Sequence, residues 1–267
     1  MRLLQALSRP EDGDRDFHLA GYAMLEDASW LDTNWMFLSL FCGVLGFIYL
    51  FSSAWPGSLR EKVRNPLWLA YLAAPVYSVH QFEEHGFDIY GRRYMFGPVF
   101  NAGTGTKQGI EVTYRVVTWV NVVGIWLIFP VWARMATKKN GFYPATLAWG
   151  VAIPNGLVGH ILPFFFDSND LRYVPGAVQS LFMVPLGLYV LLVLFKKEGI
   201  LMGTIMPIIL GIIWHIVGIQ VPVLTGATVD VNLRLCFWLT VSCLLPLLMV
   251  NTSCFQRMLS HGKVRLA

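Results

Sequence analysis

LWLAYLAAPVYSVHQFEEHGFD, residues 67–88, is the stretch on which the fold turns. From Leu67 to Val79 it holds no charged residue, the signature of a helix buried in protein or lipid. His80, Glu83, Glu84 and His85 then follow within the same segment. An ionisable group at membrane depth is expensive and by default functional. In an α-helix, steps of three and four residues turn about 300° and 400°, so His80, Glu83 and Glu84 share a face and His85 falls on another.

The rest of the chain extends that reading. Of its 267 residues, 55% are hydrophobic and 13% charged, against roughly 25% charged in soluble domains. That composition predicts an all-α, polytopic membrane bundle. Apolar segments of spanning length can be drawn at 35–55, 67–88, 114–136, 143–166, 174–195, 200–222 and 233–253. Seven helices thus fill a domain over 34–255, between a polar tail at 1–33 and a basic tail at 256–267. No cleavable-signal pattern precedes the first span. The four cysteines, Cys42, Cys236, Cys243 and Cys254, form no CxxC pair and imply no disulfide.

Seven spans place Arg60, Lys62, Arg64, Arg134, Lys138, Lys139, Lys196, Lys197, Arg257, Lys263 and Arg265 on one side. The far side has fewer basic residues near its spans once the distant Arg2, Arg9 and Arg15 are set aside. The positive-inside rule then puts the N-terminus outside or in a lumen and the C-terminus in the cytoplasm. The net charge of +4 reads as membrane topology, with a lipid bilayer as partner and no nucleic acid. Plasma membrane and endoplasmic reticulum are not distinguished, nor is an oligomeric state.

Among the predicted spans, the second, fourth and sixth run in the same direction and carry His80, His160 and His215. At about 1.5 Å per residue these histidines reach nearly one layer, in the outer half of the bilayer. Asn155 lies near His160 on the fourth span, and Asn121 lies in the third. Imidazole with carboxylate suits zinc or iron, and three protein ligands leave a position for substrate or water. The simplest assignment gives His80, Glu84, His160 and His215 to one transition metal. Glu83 or Glu84 is the general acid or base, and Asn121 and Asn155 orient the substrate. Di-iron bundles use about four carboxylates, more than this chain places at depth, so one metal is expected. A site walled by apolar helices is reached most easily from the bilayer, which makes a hydrophobic or lipid-like small molecule the expected substrate.

Two other readings compete. A metal-free isomerase or cyclase of a terpene- or sterol-like substrate would use Glu83 and Glu84 for proton transfer, with aromatic faces stabilising a cation. A proton-coupled transporter or ligand-binding receptor would titrate the same carboxylates, although no internal repeat is evident. Other motifs fall away. HExxH requires Glu at position 81, which is Gln, and NAGTGTKQG at 101–109 lacks the spacing of a phosphate-binding loop.

The motif His80-Gln81-Phe82-Glu83-Glu84 resembles that of the HXXEE family of membrane proteins. The likeness runs from about residue 67 to 195, through NGLVGH (Asn155–His160) and RYVPG (Arg172–Gly176). The resemblance implies a metal-binding or enzymatic role without an established reaction. It implies His80, Glu83, Glu84 and His160 as site residues.

Overall fold

In a computed structural model of the protein, the described residues are 28–94, 96–97, 114–135, 143–163, 174–200 and 204–215. They are helical apart from turns and one isolated antiparallel bridge between Phe87 and Arg93. Helix α1 (Trp30–Phe51) starts ahead of the predicted span because Ser29 and Asp32 form a capping box. Ser29 Oγ accepts from the Asp32 amide at 3.2 Å, and the Asp32 carboxylate accepts from the Ser29 amide at 2.9 Å. At the far end, Lys62 of the short helix α2 (Leu59–Lys62) donates through Nζ to the Leu50 and Ser52 carbonyls at 3.1 and 2.8 Å. Trp68 Nε1 donates to the same Leu50 carbonyl at 2.9 Å. Carbonyls that a helix terminus leaves unpaired thereby tie α1 to Lys62 and Trp68.

Helix α3 (Pro66–Gln81) opens on Asn65, whose side chain accepts from the Leu67 and Trp68 amides, with proline in the first helical position. At Phe82 it widens into a π-helical turn, π1 (Phe82–Gly86). The next rod combines α4 (Tyr114–Asn121), π2 (Val122–Ile128) and α5 (Phe129–Met135). Another joins α6 (Tyr143–Pro154) to π3 (Asn155–Ile161). Helices α7 (Ala177–Ile200) and α8 (Met206–His215) complete the described part.

Helix α3 lies at the centre, packed on α1, α5, α6 and α7. Trp149 of α6 donates through Nε1 to the Leu69 carbonyl of α3 at 2.8 Å, and Trp35, Trp68 and Trp149 are fully buried around it. Helices α6 and α8 approach so closely that a Cβ on Gly150 would run into the Pro207 carbonyl, and one on Gly211 into the Gly150 carbonyl. Pro154 has no N–H to bond Gly150 in the α pattern, so the crossing falls where the helix backbone is already altered.

These rods overlap six of the predicted spans; the seventh, 233–253, lies outside the described residues, as do 1–27 and the tail at 256–267. Among the described residues two helices, Trp30–Phe51 and the Ala177–Lys196 part of α7, are long and apolar enough to cross a membrane.

Candidate metal centre

His80 lies in the last turn of α3, Glu84 lies in π1 and His160 lies in π3. Their ligand atoms all fall within 4.8 Å of one another, and all three residues are buried. His80 Nε2 lies 3.3 Å from Glu84 Oε2, and His160 Nε2 lies 3.6 Å from Glu84 Oε1. The carboxylate therefore sits between two imidazoles that meet edge to face, their centroids 4.8 Å apart.

Hydrogen bonds fix how one of these rings presents itself. The Asn155 amide donates towards His80 Nε2 at 3.3 Å and to Tyr77 Oη at 2.5 Å. Ser180 Oγ lies 3.5 Å from His80 Nδ1 and donates to the Gly176 carbonyl at 2.8 Å. With Nε2 accepting, the ring proton belongs on Nδ1, beside Ser180. The single Nε2 lone pair lies between the Asn155 amide and Glu84, itself an acceptor of the Gln81 amide at 2.8 Å. A cation shared by the ring nitrogen and the carboxylate oxygen would satisfy both acceptors, with the Asn155 N–H giving way. Among the described residues the ion-pair partners of Glu84 are His80, His85 and His160. A carboxylate buried without counter-charge costs several kcal/mol, so the donor set fits a metal ion.

The two adjacent glutamates, expected on one face, are divided. Glu83 accepts from the amides of Val178 at 3.2 Å and Gln179 at 2.7 Å, in the first turn of α7. There its carboxylate satisfies unpaired amides and meets the positive end of the helix dipole. Glu84 alone joins the histidines.

His85 corrects the α-helical reading more directly. In an α-helix it would lie about 140° around from His80, whereas the wider i→i+5 turn of π1 brings it back towards the same side. It is buried, and its Nε2 lies 3.5 Å from Glu84 Oε2. Asn121, at the junction of α4 with π2, places its amide nitrogen 3.4 Å from His85 Nε2 and donates to the Val117 carbonyl at 2.9 Å. Asn155 thus lies beside His80 and Asn121 beside His85.

His215 is not gathered into the triad. Its Nδ1 donates to the Gly211 carbonyl of its own helix at 2.7 Å, and α8 packs on α6. The start of α7 supplies a further wall. Gly176 adopts φ +93°, and a Cβ there would lie 2.9 Å from His80 Cε1 and 3.0 Å from His160 Cε1. The RYVPG run carries that signal in the sequence; Gln81, Tyr77 and Ser180 have none beyond lying in apolar helices.

Comparison with curated proteins gives no match, and comparison with solved structures gives none either. Residues 71–190 match the model of the family described as "Protein of unknown function with HXXEE motif". That segment contains every member of the triad as well as Gly176, and over it the chain is similar to the HXXEE family.

Proposed function

We propose that the protein is a membrane enzyme of about seven spans that holds one zinc or iron ion through His80 Nε2, His160 Nε2 and Glu84. Its N-terminus lies outside or in a lumen, its C-terminus lies in the cytoplasm, and its substrate is a hydrophobic, lipid-like small molecule. The observation that carries the metal reading is the closure of three buried ligand atoms to within 4.8 Å. Metal–ligand bonds near 2 Å demand such convergence. Membrane insertion is supported by the two long apolar helices, whose most apolar windows are only 28% and 39% buried. Phe41, Leu45 and Ile48 on α1 and Phe182 and Leu192 on α7 point outward, and lipid is the solvent that such faces suit.

A bound transition metal supplies Lewis acidity, which polarises a carbonyl or activates water. The residues around it have separate tasks. Ser180 holds the His80 ring at Nδ1, Asn155 stands beside the Nε2 that would take the metal, Gln81 orients the Glu84 carboxylate, and Glu83 fastens the site to α7. Engagement of Glu83 by backbone amides weighs against the metal-free isomerase, which draws on both glutamates. Three protein ligands leave coordination positions open, as catalytic sites require.

Elemental analysis of protein purified in mild detergent tests this. Stoichiometric zinc or iron is expected in the native chain and is lost in His80→Ala and Glu84→Gln. Native protein that is folded and metal-free under gentle purification ends the metal reading.

A further inference from the structure

We infer that His85 Nδ1 and Trp35 Nε1 form the polar end of the substrate pocket and take an uncharged oxygen acceptor, the carbonyl or hydroxyl of a lipid-like molecule. This rests on the metal reading above, because it places the substrate's oxygen next to the ligand set.

His85 Nδ1 and Trp35 Nε1 are both buried with no hydrogen-bond partner, on residues only 2% and 0% exposed. Their rings are neighbours, with centroids 5.4 Å apart. A buried polar atom left unpaired costs about 1–3 kcal/mol, and two on neighbouring rings, next to a candidate metal centre, mark a place for a ligand. The indole N–H can only donate, so the ligand atom there must accept. His85 Nε2 lies 3.4 Å from the Asn121 amide nitrogen, which puts the ring proton on Nδ1 and makes that nitrogen a second donor to the acceptor.

The surroundings select a neutral head group. Contacts of His85 are with Glu84, Asn121, Trp35 and Phe96, the last at 4.7 Å between ring centroids. Among the described residues none of these is a Lys or Arg, the usual partners of carboxylate or phosphate heads. Aromatic faces suit an apolar body behind the oxygen. His85 also stands outside the triad that closes to 4.8 Å, which suits a residue facing an open position better than a fourth ligand.

The test uses full-length protein as purified in detergent, with 2-undecanone as the probe and n-undecane as its oxygen-free counterpart, binding being followed by calorimetry. The ketone should bind at least about tenfold more tightly than the alkane, the worth of one good hydrogen bond. Trp35→Phe, which keeps a ring but removes the N–H, and His85→Ala should each erase that preference while retaining the native metal content. Equal affinity for ketone and alkane in the native protein overturns the inference, as does a preference that persists in Trp35→Phe. Loss of metal in His85→Ala, matching His80→Ala, makes His85 a ligand and also overturns it. A metal-free native protein fails the metal reading separately, since the ketone preference is measured independently of metal content.

Discussion

Gly176→Ala tests the site through a residue that supplies no ligand. Gly176 has φ +93°, where an L side chain costs about 1–3 kcal/mol. The new methyl would also meet His80 Cε1 at 2.9 Å, His160 Cε1 at 3.0 Å and His160 Nδ1 at 3.1 Å. Relief to ordinary contact requires the two rings to retreat by about half an ångström, and crowding of this kind costs about 1–3 kcal/mol more. The sum is about 2–6 kcal/mol of folding free energy, a large part of what a domain has. Functional sites must be held within about 0.5 Å of their productive geometry, and a retreat of that size uses up the whole tolerance, so metal affinity should fall by about 10–100-fold, as when outer-shell partners of a metal site are altered. A chelator-competition titration measures the affinity and a thermal melt in detergent measures the stability. Gly91→Ala is the control, since Gly91 has φ +74° and nothing within 4 Å of the added Cβ. It should lower stability by the backbone cost alone and leave metal affinity unchanged. Native affinity in Gly176→Ala, or an equal loss in Gly91→Ala, refutes the placement of Gly176 against the two imidazoles.

The same contacts set further outcomes. Glu83→Ala removes the acceptor of the Val178 and Gln179 amides and should destabilise by about 1–3 kcal/mol. Glu83→Gln keeps one of the two acceptor oxygens and should cost less than Glu83→Ala, about 1 kcal/mol for the lost hydrogen bond. Both should keep native metal content in elemental analysis, and metal loss in Glu83→Gln would return Glu83 to the ligand set. Stripping metal with a chelator should lower the melting temperature, by the equivalent of about 2.7 kcal/mol when metal had been present at a hundredfold excess over Kd. His80→Ala, lacking the ion, should show no such response. His215→Ala should retain metal, because His215 bonds its own helix at Gly211; a variant as metal-poor as His80→Ala would show that α8 contributes a ligand.

Helix positions were largely legible because apolar runs of spanning length state them directly, and α1, α3 and α7 fall where hydropathy puts them. The start of α1 was misplaced because hydropathy counts Asp32 as tail, whereas its capping box with Ser29 draws it into the first turn. The triad was legible for a different reason. His80 and Glu84 are four residues apart, a spacing that keeps two side chains together in an α-helix, and their contact at 3.3 Å bears that out. His160 was reachable by depth along its span. Depth gave no azimuth, however, and His215, equally deep by the same measure, is turned to its own backbone.

The features that the sequence hides have one physical origin. Glu84 and His85 lie in π1, Asn155 and His160 lie in π3, and Asn121 immediately precedes π2. A π turn is rare and unfavourable on its own, and it concentrates at functional sites. Because it inserts extra backbone into one turn, every α-helical angle counted across it is wrong, which is why His85 was assigned to another face. Neither residue propensity nor hydrophobic period announces such a turn, since apolar and polar residues alike enter it. Two of them, π1 and π3, meet around one carboxylate, and the third begins beside His85, so the local cost is borne where side chains must leave the regular α-helical directions. In a regular α-helix, five positions separate His80 from His85 by too wide an angle for both to reach one carboxylate. The π turn lets them, while Glu83 reaches outward to hold α7.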